Sequence, residues 1–218
     1  MTEDPAGRYP GYDVMSKRWT LSWDAATRET IDRRLGIPRE PRFFTPEEWR
    51  TLSAVCERIM PQPADRPPVP LPAFVDQKIT DGLLDGYRYA AMPAQGEAWR
   101  RGLAALEQEA RQAYGTPFDE LPDARKDALL TRMQNGELTG PVWAGMPCKL
   151  FFEHRVIPDI VHAYYAHPAA WNEIGFSGPA SPRGHVRMGL NRRDPWDPVE
   201  AVPGGDVEYA KRKNADVG

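Results

Sequence analysis

The sequence has little of what catalytic and electron-carrying proteins usually need. Only two cysteines, Cys56 and Cys148, occur in 218 residues. Two thiols exclude a disulfide-dense scaffold and a four-cysteine metal site. Cys56 falls on the apolar stripe of a predicted helix, where it reads as a small buried hydrophobe. There is no CxxCH, which excludes covalent haem and with it an electron-carrier role. Neither GxGxxG nor GxxxxGK[ST] occurs, so the dinucleotide and nucleoside triphosphate signatures are missing. No GxSxG elbow of a serine hydrolase is found. No apolar run approaches the roughly 20 residues that span a bilayer. Charge of one sign is also lacking: 28 Lys and Arg face 31 Asp and Glu, a formal net charge of -3. That excludes the concentrated basic surface that grips nucleic acid.

An export signal is not evident either. Met1 to Pro10 is polar, and Arg33-Arg34 leads only into the short, polar Leu35 to Arg39. A twin-arginine leader needs a longer apolar stretch, so the expectation is a cytoplasmic protein.

Proline and tryptophan are abundant, at 23 and 7. Many prolines imply many helix ends and irregular segments. Many tryptophans imply large flat surfaces that need cover, in a core or an interface. Residues 1–41 read as an arm carrying Tyr9, Tyr12, Trp19 and Trp23, with a short helix from Asp24 to Leu35. Disordered tails are poor in aromatics, so this arm is expected to lie on a surface, its own or a partner's.

Residues 42–167 read as a helical domain. Thr45-Pro46-Glu47-Glu48 combines a capping threonine, proline at the first helical position and glutamate at the third. Trp49, Leu52, Val55, Cys56 and Ile59 then recur at helical spacing until Pro61. Residues 61–72, PQPADRPPVPLP, form an extended connector. The second helix places Leu71, Phe74, Val75, Ile79 and Leu83 on one face. The third, from Glu97 to Tyr114, carries Trp99, Leu103, Leu106 and Ala110 and stops at Gly115. The fourth opens at Pro122-Asp123, carries Leu129, Leu130 and Met133, and closes at Asn135-Gly136. The fifth, from Met146 to Ala166, has two apolar stripes, one through Leu150 and Ile157 and one through Phe152, Val156 and Ile160. A helix apolar over most of its circumference belongs in the middle of a fold. Pro158 is expected to kink or break it. The expected fold is therefore all-α, about five helices in one compact domain with long irregular arms. Residues 168–218 form the second arm, irregular to 198 and then a polar, frayed tail.

Chemistry is sparse. The four histidines, His154, His162, His167 and His185, invite a metal reading, and Asp159 with His162 has the i, i+3 spacing of bundle metal sites. Such sites repeat a Glu-x-x-His pair on facing helices, which this chain lacks. His154 lies on the Leu150/Ile157 stripe and reads as a core histidine. Cys148 and His154, six residues apart, have no third group to orient them. Glu47-Glu48 and Asp119-Glu120 sit at predicted helix starts, where they stabilise the dipole. The arginines Arg183, Arg187, Arg192 and Arg193 alternate with Trp171, Phe176, His185 and Trp196. Arg and Trp are enriched at binding hot spots, so this stretch reads as an interface.

The run from His167 through Trp171-Asn172-Glu173-Ile174-Gly175-Phe176 to Arg187 resembles the end of the gluconate 2-dehydrogenase subunit 3 family. Phe43 to Trp49, Arg58-Ile59-Met60-Pro61 and Leu150-Phe151-Phe152 carry the same resemblance, which spans about residues 40–190. It implies a helical, non-catalytic small subunit. Such a subunit stabilises a large FAD-containing oxidoreductase of the glucose-methanol-choline type, with a cytochrome c subunit as a further member of the complex. FAD then belongs to the partner, and this chain binds no cofactor of its own. Family members often carry a twin-arginine signal that exports both subunits. Its absence here leaves a cytoplasmic pair, a signal on another subunit with a periplasmic location, or a misassigned start. Catalytic, cofactor-binding and metal-binding residues are expected to be absent. The expected partner interface comprises Trp19, Trp23, Trp171, Ile174, Phe176, Pro179, Arg183, His185 and Arg187. Two other readings stand beside it: a stand-alone helical metal-dependent enzyme using Asp159 and His162, and a general adaptor or chaperone.

Overall fold

Side-chain caps and left-handed glycines mark off most of the helices in the computed structural model, which describes residues 7–86, 89–185, 193–202 and 204–216. The all-α class holds, with nine α-helical segments, α6 and α7 being continuous through a π turn, and no strand among the described residues. That is more than the expected five, because the arms carry helices too. By contacts the chain divides into two compact units. One comprises residues 37–164; the other joins residues 1–36 to 165–218.

In the first unit, α2 (Pro46–Ile59) opens with the expected capping box: Thr45 accepts from the Glu48 amide, and Glu48 accepts from that of Thr45. Its buried face holds Leu52, Val55 and Cys56. Helix α3 (Leu71–Thr80) ends before Leu83, which is 58% exposed rather than part of the predicted face. Asp76 is buried on it for a reason: its carboxylate accepts the amides of Arg42, Phe43 and Phe44 at 3.0, 2.9 and 3.1 Å. That ties the entry of α2 to α3. Helix α4 (Gln95–Tyr114) buries Trp99, Leu103, Leu106 and Ala110 and stops at Gly115 with φ 71°. Helix α5 (Asp123–Asn135) stops at Gly136 with φ 80°. Both stops need the left-handed region that glycine enters freely.

The fifth predicted helix does not break at Pro158. It runs as α6 (Cys148–Phe151), a π turn (Phe152–Val156) and α7 (Ile157–Tyr165). Proline lacks an N–H and its ring crowds the carbonyl four residues earlier. The π turn widens the helix there, with the Ile157 amide bonded to the Phe152 carbonyl. The freed His154 carbonyl accepts instead from Arg155 Nη1 at 2.7 Å. Phe151, Phe152, Val156 and Ile160 are buried, and Phe151 meets Trp99 edge to face at 5.3 Å. A Cβ on Gly102 would fall 2.3 Å from the Phe151 ring, so α4 carries glycine at that approach.

The second unit is built from the two arms. Helix α1 (Ala25–Leu35) starts at Asp24, whose side chain accepts from Thr27. Helix α8 (Pro168–Ile174) starts at His167 and stops at Gly175. Tyr12, Val14, Trp23, Ile31 and Trp171 form its core, with Tyr9, Met15 and Trp196 against them. Backbone pairing joins the arms: Asp24 N–H donates to Ser181 O and Ser181 N–H to Ser22 O, both at 2.9 Å. The expected polar tail is corrected. It forms α9 (Val207–Ala215), whose buried Asn214 donates to Pro10 O at 2.9 Å and Val199 O at 3.0 Å. The Asn214 Oδ1 also accepts from Val199 N–H at 2.7 Å, and these three hydrogen bonds at one amide side chain order a segment that has almost no apolar face of its own. Among the described residues, no helix is long and apolar enough to cross a membrane.

Candidate partner interface

The segment from Asp13 to Asp24 sends its residues in two directions. Lys17 and Ser22 are 1% and 0% exposed, and Trp23 is 2% exposed. Lys17 Nζ donates to Ser22 Oγ and to Pro179 O, each at 3.1 Å, and lies over the Trp23 ring. Burial pulls its ammonium down to about 8, against the raising influence of Asp197 and Asp194. Burial likewise raises the Tyr12 phenol, whose hydroxyl donates to Trp196 O at 3.0 Å. Trp19 and Leu21, between these anchors, are 77% and 85% exposed.

Each expected interface residue that the structure describes has a place. Trp23 and Trp171 are corrected from partner contacts to core. Trp171 stands inside the apolar cluster with its Nε1 donating to Tyr165 O at 2.7 Å. Their apolar area is spent on the unit's own packing, and the sequence could not assign that cover because it comes from the opposite end of the chain. Trp19, Ile174 and Phe176 keep large exposed areas. Phe176 packs edge to face on Trp171 at 5.6 Å and beside the exposed His185 at 5.9 Å. Pro179 is half-buried and offers its carbonyl to Lys17. Arg183 pairs with Asp194 at 2.8 Å and lies over Trp196. Arg187 falls outside the described residues. A cavity of about 280 Å³, lined by Tyr9, Phe176, His185, Arg193 and Asp197, adjoins this patch. Leu21 escaped the sequence reading, because an isolated leucine beside tryptophan carries no local sign of facing outward.

In residues 37–164, the residues of the metal reading do other work. Asp159 is buried and accepts from Lys78 Nζ at 2.7 Å and Trp99 Nε1 at 2.8 Å. Lys78 also reaches Asp85 at 2.5 Å, and Asp85 takes Arg155 at 2.9 Å. Burial pulls Lys78 down, but its hydrogen bonds to Asp159 and Asp85 outweigh that, and its ammonium is raised overall. His162 is exposed while Asp159 is inside, so the two do not converge. Among the described residues, no three His, Cys, Asp or Glu side chains are grouped as metal ligands. His154 is half-buried and stacks on Tyr89 at 4.1 Å. Cys148 is buried, its thiol raised by desolvation and directed at Met133 O, which is the environment of an inert cysteine.

Comparison with known proteins gives one match. The family model for gluconate 2-dehydrogenase subunit 3 matches residues 46–178. No curated protein and no solved structure matches. The matched stretch starts at α2 and runs past α8, more than half of the chain, and the chain belongs to the gluconate 2-dehydrogenase subunit 3 family.

Proposed function

We propose that this chain is a non-catalytic small subunit that binds and stabilises an FAD-dependent sugar or alcohol dehydrogenase. The observation that carries this reading is family membership over residues 46–178, in a family described as a subunit of gluconate 2-dehydrogenase. The partner is a large flavoprotein of the glucose-methanol-choline type, with a cytochrome c subunit as a further member. FAD resides in the large subunit.

Two features of the molecule fit a binding role. Asp159, Lys78, Asp85 and Arg155 are committed to one another. The apolar surface left outside sits on ordered backbone, at Ile174 (47% exposed) and Phe176 (40%). Aromatic side chains on ordered backbone bind at low entropic cost, since little freedom remains to be lost. Co-expression with a glucose-methanol-choline type flavoprotein from the same genome tests the reading. Co-elution in size-exclusion chromatography with flavin absorbance, and loss of soluble flavoprotein when this chain is omitted, is the expected result. Separate elution beside a soluble, active flavoprotein would overturn it.

A further inference from the structure

We infer that the cavity lined by Tyr9, Phe176, Ser177, His185, Arg193 and Asp197 is a binding site for a neutral cyclic sugar of monosaccharide size. This goes beyond the subunit reading and does not depend on it, because the cavity belongs to the chain by itself.

The cavity is built from both ends of the chain. Gly175 stops α8 with φ 66°, and the Tyr9 ring closes over it: a Cβ on Gly175 would fall 2.1 Å from that ring. Phe176, next in the chain, is held edge to face on Trp171 and stays 40% exposed. Tyr9 and Phe176 give the cavity its apolar wall. Its volume of about 280 Å³ stands at the small end of small-molecule sites, which run from ~300 to ~1,000 Å³. That suits a single ring rather than a nucleotide or a chain.

The polar groups of the lining are left without partners. Ser177 is only 8% exposed, yet its hydroxyl has no hydrogen-bond partner among the described residues. A buried hydroxyl left unpaired is destabilising, and a ligand that bonds it relieves the penalty. The Tyr9 hydroxyl and the His185 ring nitrogens also meet no hydrogen-bond partner among the described residues. Asp197 accepts there only from Asp194 N–H, at 3.2 Å, and Arg193 gives one N–H to Pro198 O.

Charge selects the ligand class. Asp194 is paired with Arg183 at 2.8 Å, so the fixed charges that remain are Asp197 and Arg193, one of each sign. An anion is opposed by Asp197 and a cation by Arg193. Asp197 only accepts, Arg193 only donates, and the Ser177 and Tyr9 hydroxyls do both. Ligand hydroxyls answer all three kinds, because each of them donates and accepts. A sugar ring adds a C–H face to pack on the Tyr9 and Phe176 rings. An amino-acid zwitterion matches the two charges but leaves the Ser177 and Tyr9 hydroxyls unmatched.

The test is an NMR titration of the isotope-labelled full chain with D-glucose, D-gluconate and L-alanine as probes, with melting read alongside. Saturable glucose shifts at the Ser177, His185 and Asp197 amides, with a millimolar Kd, are expected. Ser177→Ala is expected to weaken glucose binding about fivefold and Asp197→Asn about tenfold, the sizes of a neutral and a charge-assisted hydrogen bond, with melting unchanged. Should Ser177→Ala fail to fold, Asp197→Asn alone decides. No saturable shift with glucose, or shifts that the folded variants leave unweakened, would overturn the site. Tighter binding of gluconate or alanine at the same amides would overturn the neutral class. None of these outcomes touches co-elution with the flavoprotein, so the subunit reading stands or falls separately.

Discussion

Residues 37–164 and the unit made by the two chain ends solve the problem of burial in different ways. In 37–164 each helix carries its own apolar face, and the core forms where the faces meet: Leu52 and Val55 on α2, Trp99, Leu103 and Leu106 on α4, Phe151 and Ile160 on the 148–165 helix. In the terminal unit no segment carries a sufficient face. Trp23 and Ile31 from one end are covered by Trp171 from the other. Polar side chains do much of the joining, as when Asn172 Oδ1 accepts from Val14 N–H at 2.8 Å across 158 positions. A core assembled that way leaves aromatics such as Trp19 and Phe176 outside.

The comparison can be broken first in 37–164. Asp159→Ala leaves Lys78 partly buried without its inner carboxylate and Trp99 Nε1 without an acceptor. Removing one partner of a buried pair costs about 3–5 kcal/mol, so urea unfolding is expected to show a loss of that size. A loss below about 1 kcal/mol, no more than an exposed ion pair contributes, would show that this network holds nothing together.

The terminal unit answers to a smaller and opposite change. Lys17 is a buried cation with no carboxylate in hydrogen-bonding contact, and its ammonium is lowered to about 8 from an ordinary 10.5. Between those two values the folded chain has released the proton while the unfolded chain still holds it. The unfolded state then binds more protons, and stability rises with pH across that window. Below about pH 8 both states are charged and the cost of burial is present in full. Lys17→Met is therefore expected to be neutral, or stabilising by up to about 2 kcal/mol, at pH 7. Relative to wild type it should lack the rise between pH 8 and 10.5, measured by urea unfolding at stepped pH. A variant destabilised at pH 7, with the rise intact, would show that Lys17 acts through its hydrogen bonds alone.

What was legible in the sequence follows the same division. The capping box at Thr45, the stripe through Trp99 and Leu106, and the stops at Gly115 and Gly136 are local devices, and local patterns reveal them. The π turn before Pro158 escaped because a proline in a helical pattern signals a break, and the widening that absorbs it has no sequence sign. The terminal unit escaped for a different reason. Asn214 bonding Pro10 and Val199, or Lys17 bonding Pro179, are pairings of distant positions, and neither partner is marked by periodicity. Trp19 and Trp23 look alike in the sequence, yet only one of them is inside. The interface reading therefore could not divide the aromatics of these segments between core and surface.

Amide hydrogen exchange on this chain, alone and with the flavoprotein, tests most directly the claim that the chain ends form a folded unit with a partner-facing outside. The account predicts that the free chain already protects Val14, Ile31 and Phe176, whose amides bond within the unit. It predicts that adding the flavoprotein brings new protection at residues 174–176. Unprotected exchange through 12–31 and 171–181 in the free chain, or a complex that adds no protection at 174–176, would contradict it.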